Sequence, residues 1–135
     1  MSAPGERAPQ RDTDASPFCG ILARLTEVCP RFEAAVFFDE DGETIDYHSF
    51  CDPFQAKLAG ALHGVLASSA ARRMTWLEMG EVEWLEVRAQ RLDSVTVPLG
   101  EGLFVTLVAG AGAITPAVRE RLGEVIGLLR EESGL

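Results

Sequence analysis

The sequence predicts a single mixed α/β (α+β) domain in the order α-β-β-α-β-β-β-α, on three observations. A capping residue followed by proline opens a helical pattern three times, at Ser16-Pro17, Asp52-Pro53 and Thr115-Pro116. Two glycine-bearing turns, Asp41-Gly42 and Gly100-Glu101-Gly102, each lie between two β-forming runs, which is a hairpin signal. Two short runs, 34–38 and 103–109, are apolar on both strand faces, so each is expected at the centre of a sheet with helices above and below.

Residues 1–15 mix charge, proline and glycine with almost nothing apolar, and are expected to form a flexible tail ahead of a domain spanning 16–135. In helix 1, Phe18, Ile21, Leu22, Leu25 and Val28 recur at helical spacing until Cys29-Pro30 ends the run. The first hairpin follows, over 34–38 and 43–50. Helix 2 is expected over 53–72, with Phe54, Leu58, Leu62, Val65, Leu66 and Ser69 as its apolar stripe. After a connection at 74–80 come strands at 82–89, 94–99 and 103–109. Pro98 cannot donate to a ladder and belongs near a strand end. Strand 82–89 carries Glu81, Glu83, Glu86 and Arg88 beside Trp84 and Leu85, a mixture suited to a partly covered edge. Helix 3 turns Val118, Leu122, Val125, Ile126 and Leu129 inward and Arg119, Glu120, Arg121, Glu124, Arg130 and Glu131 to water.

Composition excludes several classes. The 135 residues carry a formal net charge of −9, which argues against nucleic acid, whose binding needs a basic face, and against an anionic membrane surface. No apolar run is long enough to span a membrane, and the N-terminal residues lack the apolar segment of a signal peptide, so a cytoplasmic protein is expected. Three cysteines (Cys19, Cys29, Cys51) without C-x-x-C spacing fit reduced thiols. Eleven arginines against one lysine, Lys57, with abundant Ala and Gly, suggest a GC-rich bacterial genome.

Chemistry-bearing constellations are sparse. His48-x-x-Cys51 offers two metal ligands where structural zinc takes four, so no metal is expected. Any of the three cysteines could pair with His48 or His63, but no orienting third group is indicated. Gly110-Ala111-Gly112 lacks the third glycine and the βαβ setting of a dinucleotide loop. Asp39, Glu40, Asp41 and Glu43 lack calcium-loop spacing. No catalytic residue and no cofactor is therefore assigned.

Helix 2 is the informative element. From Phe54 to Ala71 it carries one formal charge, Lys57, whereas helix 3 is thick with Arg and Glu. Opposite its apolar stripe lie Ala56, Gly60, Gly64, Ala67 and Ala71. Each glycine costs about 1 kcal/mol against alanine inside a helix, and two of them one turn apart allow a second backbone to approach. Burial inside the monomer would explain this flank, but three helices and one sheet leave no element to cover it. The flank is therefore expected to be a partner-facing outer surface. The edge strand can likewise pair with its own copy across a twofold axis. The expected dimer interface is Ala56, Gly60, Gly64 and Ala67 with Glu83, Leu85 and Arg88, where a Glu–Arg match would favour one register.

Over residues 17–132 the pattern resembles the roadblock / dynein light-chain family: Ile21-Leu22-x-x-Leu25 in a leading helix, Ala35-Val36-Phe37-Phe38-Asp39-Glu40-Asp41-Gly42 as strand and turn, an Ala/Leu-rich second helix, a meander with a Gly-x-Gly turn before Leu103-Phe104-Val105, and a closing amphipathic helix. The resemblance implies a five-stranded antiparallel sheet with helix 2 on one face and helices 1 and 3 on the other, a roadblock/profilin-like arrangement. It also implies a homodimer joined through helix 2 and strand 82–89. Function would be that of a non-enzymatic adaptor that binds a small Ras-like GTPase, as scaffold or GTPase-activating partner, in bacterial polarity or motility. The GTPase-facing surface would lie around the paired second helices, near Lys57 and His63. The alternative reading is a small-molecule sensor domain, and a third is a thiol enzyme using one of the cysteines.

Overall fold

Five antiparallel strands in the order β2-β1-β5-β4-β3 form the sheet of the computed structural model, which describes residues 7–135. Their spans are β1 Phe32–Asp39, β2 Thr44–Ser49, β3 Leu85–Arg88, β4 Leu92–Gly100 and β5 Leu103–Gly110. The helices are α1 Pro17–Ala23, continued by a 3-10 turn Arg24–Glu27, then α2 Pro53–Trp76 and α3 Pro116–Glu132. All three cap-plus-proline starts are used: Ser16 accepts from Phe18 N–H, Asp52 from Phe54 N–H and Thr115 from Val118 N–H.

The alternation of β1 separates two layers of core. Ala35 and Phe37 join Val95, Val97, Val105 and Leu107 on the face covered by Leu22 and Leu25 and by Val118, Leu122, Val125 and Leu129 of α3. Ala34, Val36 and Phe38 face the other way, where with Tyr47 they meet Ala56 of α2. The expected arrangement, α2 on one face and α1 with α3 on the other, is what the chain adopts. Both apolar strands, β1 and β5, are interior.

The orientation of α2 differs from the sequence expectation and is corrected here. Ala56, Gly60, Gly64 and Ala67 are the buried residues of α2, turned toward the chain's own sheet rather than outward. Phe54, Leu58, Leu62, Val65 and Leu66, read as the inward stripe, are exposed. The reason is volume. Beneath α2 the sheet already presents Val36, Phe38 and Phe104, the two rings stacked with centroids 5.6 Å apart. A Cβ on Gly60 would lie 2.8 Å from Val36 Cγ1, and one on Gly64 3.1 Å from Phe38 Cε2. Bulky strand residues and a helix of leucines could not share that space, so the small flank goes down and the large one comes up.

Strand β3 is shorter than the expected 82–89. Its register with β4 pairs Leu85 with Thr96 and Val87 with Ser94, which would set Glu83 opposite Pro98. Proline has no N–H to give on that side, so the ladder stops and Glu83 lies outside the strand. Of the expected tail, residues 1–6 lie outside the described residues, and the remainder is held rather than free. Gln10 N–H donates to Ser49 O, Arg11 donates to Tyr47 O and to Asp46, and Asp12 accepts from Tyr47 Oη. Helix 2 runs four residues beyond its expected end at residue 72, into the expected connection.

Two substitutions check the α2 contact. Gly60→Ala is expected to destabilise by about 1–3 kcal/mol, because a stiff valine on a central strand cannot yield. Gly123→Ala, on exposed α3 with open space at its Cβ, is expected to stabilise by up to about 1 kcal/mol. Urea unfolding measures both.

Candidate functional site

The outer surface of α2 is where this protein departs from an ordinary soluble domain. Phe54 is 69% exposed and Val65 67%, with Leu58 and Leu62 between them and Leu66 just beyond on the same flank. Trp76, Leu77 and Met79 extend the apolar surface past the helix end, and Val87 and Leu92 add to it from the β3–β4 hairpin. Burying a side chain of this size is worth about 1.5–3 kcal/mol, and contiguous exposure of this kind marks an interaction surface. Beneath the stripe, grooves separate α2 from the far side of the sheet. One, lined by Leu58, Leu62, His63, Val87, Leu92 and Ser94 among others, measures about 490 Å³.

The sheet supplies a second open feature beside it. Ala89 N–H donates to Leu92 O. By the alternation of an antiparallel ladder, Leu85 and Val87 are the β3 residues that bond β4, whereas Glu86 and Arg88 point their backbone groups away from the sheet. At the opposite edge, β2 has residues 7–15 running along it. Side chains of β3 divide equally. Leu85 and Val87, opposite Thr96 and Ser94, lie on the α2 side, and Glu86 lies on the α3 side. There its carboxylate accepts from Arg119 of α3 at 2.6 and 2.8 Å, from Trp84 Nε1 at 3.2 Å and from Arg88 Nε at 3.1 Å. Those hydrogen bonds, Arg119 foremost, hold the Glu86 carboxyl down at about 2 against an ordinary 4.5. Sequence reading placed Arg119 on the wet face of helix 3 and missed this pair, since nothing in the chain connects residues 86 and 119 before the fold does.

The remaining sequence-assigned residues fall as follows. Lys57 lies beside the stripe but binds Asp12 at 2.8 Å and sits over the Tyr47 ring. His63 is engaged within the chain: its Nδ1–H donates to Ala59 O at 2.7 Å, since a carbonyl only accepts, and its Nε2 accepts from Ser94 Oγ at 2.7 Å. Leu85 is half-buried and Arg88 exposed on β3. The buried Ala56, Gly60, Gly64 and Ala67 cannot meet a second chain while α2 stays on its sheet.

His48 Nδ1 lies 3.8 Å from Cys19 Sγ, while Cys51 Sγ lies 3.0 Å from Ser49 Oγ. Burial pushes the Cys19 thiol up in spite of Arg11, and burial with the Arg11 charge pushes the His48 imidazole down. Both shifts favour neutral partners over a thiolate–imidazolium pair. Among the described residues no group of three or more His, Cys, Asp or Glu is arranged to hold a metal, and no helix is long and apolar enough to cross a membrane.

A carboxyl lowered on folding stabilises above its unfolded value and ceases to do so as pH falls through its folded one. The stability gap between the parent chain and Glu86→Gln is therefore expected to be constant above about pH 5. It should close progressively as pH falls from 4.5 toward 2. Urea midpoints across that range give the comparison, and a gap that does not narrow would remove the pair as its source.

No protein-family model matches the chain, and no curated protein does. Solved structures do. A Roadblock/LC7 domain from Streptomyces avermitilis superposes with a TM-score of 0.79 at 19% identity, covering 91% of this chain and all of that one. MglB in a tetrameric arrangement gives 0.77 at 15% identity over 95% and 99% of the two chains. The gliding protein MglB from Thermus thermophilus gives 0.70 at 15% identity over 93% and 87%. At these identities the likeness is one of fold: the chain, three helices on a five-stranded antiparallel sheet, has the Roadblock/LC7 fold.

Proposed function

We propose that this protein is a non-enzymatic homodimeric adaptor that binds a small Ras-like GTPase in the bacterial cytoplasm, as a scaffold or GTPase-activating partner in polarity or motility. The observation that carries the reading is the exposed row Phe54, Leu58, Leu62, Val65 and Leu66 on a helix with one charge in its first nineteen residues, Lys57. A helix so poor in charge is covered by another polypeptide at work. Similar solved structures support it in name: one is a gliding protein, and one carries a tetrameric arrangement.

In this reading two copies meet through the outer α2 flank and the free edge of β3, where Leu85 and Arg88 lie and Glu83 stands just outside. The two surfaces are continuous through Val87 and the groove beside Leu62. The GTPase then contacts the rim of the joined helices, where Lys57 and His63 stand. A second reading, a small-molecule sensor, rests on a groove of about 600 Å³ between the second half of α2 and β4. Its polar floor is already satisfied, Thr96 and Thr106 bonding each other at 2.8 Å. Among the described residues no buried side-chain N or O lacks a partner, so the groove offers little to orient a ligand.

Leu62→Arg separates the readings. Its side chain is exposed in the monomer, so helicity is expected to stay unchanged, while light scattering after size exclusion should show self-association weakened at least tenfold. Recovery of a purified Ras-like GTPase, loaded with GDP or a non-hydrolysable GTP analogue, should fall with it. A parent chain that is monomeric and recovers neither nucleotide form would contradict the adaptor.

A further inference from the structure

We infer that Arg119 of α3 is a positioning residue for self-association, acting through Glu86; this rests on the dimer reading above. Three observations meet at one place. First, β3 is four residues long and among the described residues pairs only with β4, so its own ladder holds it weakly. Second, Glu86 lies at the middle of its free edge, because the even-numbered residues direct their N–H and C=O outward. Third, the Glu86 side chain is fixed from behind by both terminal nitrogens, Nη1 and Nη2, of the Arg119 guanidinium, which also lies over the Trp84 ring, 5.8 Å from its centroid. The Glu86 side chain is only 17% exposed.

Arg119 therefore does two things for an approaching copy. It clamps the strand to α3, so that the outward backbone groups of Glu86 and Arg88 stand in an extended row before the partner arrives, which lowers the ordering loss on association. It also cancels a charge. In an antiparallel twofold pairing the outward residues must match one another, and a register centred on Glu86 sets two carboxylates face to face. Like charges directly opposite on paired strands repel. With Arg119 behind each carboxylate and Arg88 of the same strand beside it, the pairing meets carboxylates already matched by positive charge instead. In the register centred on Val87, Glu86 faces Arg88 of the second copy, and the clamp alone acts.

The experiment compares the full-length chain with Arg119→Ala, Arg119→Ala/Glu86→Gln, and the reversed pair Glu86→Arg/Arg119→Glu. Sedimentation equilibrium reads self-association, and amide exchange at Leu85 and Val87 reads the attachment of β3 to β4. Arg119→Ala is expected to weaken self-association at least tenfold and to speed exchange at those two amides, with α2 and α3 amides unchanged. The reversed pair should recover self-association to within about threefold. Partial recovery in the Glu86→Gln double variant assigns the effect to charge, and none assigns it to the clamp; both support a role for Arg119. Parent-like self-association and exchange in Arg119→Ala would overturn the inference. If the parent chain is monomeric, the adaptor reading fails by itself, and unchanged exchange at Leu85 and Val87 still overturns the clamp.

Discussion

The approach of α2 to β1 decides the rest of this molecule. Val36 and Phe38 point up from a central strand, and only a helix without side chains at the point of contact can lie across them. Gly60 and Gly64 supply that opening, with Ala56 and Ala67 continuing it along the helix. Once the small flank is committed to the sheet, the opposite flank must carry Phe54, Leu58, Leu62, Val65 and Leu66 outward. The exposed apolar surface is thus a geometric consequence of the inner contact, not a separate feature.

The two sides of the sheet are unequal for the same reason. On the α1–α3 side, long aliphatic and aromatic residues from both helices interleave with Phe37, Val95 and Leu107 in a deep core. On the α2 side the core is thin: Ala34, Val36, Phe38 and Tyr47 beneath the small residues of α2. Toward β4 the lining turns polar, through Ser94 and the Thr96–Thr106 pair, and open grooves remain. The deep core therefore lies on one side of the sheet and the exposed apolar surface on the other. The short edge strand β3 joins them, its Leu85 and Val87 turned toward α2 and its Glu86 tied to α3.

Much of this was legible in the sequence. Capping residue and proline located all three helices, glycine turns located two of the three hairpins, β1–β2 and β4–β5, and apolar runs identified two of the three interior strands, β1 and β5. That helix 2 carries an unusually charge-poor surface was legible as well. Which flank faces out was not, because a helical wheel ranks residues by hydrophobicity, and here the contact is set by the volume of Val36 and Phe38, twenty or more residues away. The matching of a bulky strand to a small helical flank was the available signal. The end of β3 opposite Pro98 needed the register of β4, and Glu86–Arg119 needed the fold itself. Residues 7–15 read as a flexible tail because their partners, among them Glu33 of β1, Asp46 and Tyr47 of β2 and Lys57 of α2, lie far along the chain and meet them only in the fold.

The central claim is that the outer flank of α2 is covered by another polypeptide when the protein is at work. Paramagnetic relaxation of methyl resonances by a soluble neutral probe tests it most directly, read on Leu58, Leu62, Val65 and Leu66 at low and high protein concentration. The account requires strong relaxation in dilute samples and protection as concentration rises, with the α3 methyls of Leu122 and Val125 protected throughout. Equal, strong relaxation of the α2 methyls at every concentration, with and without a Ras-like GTPase, would contradict it.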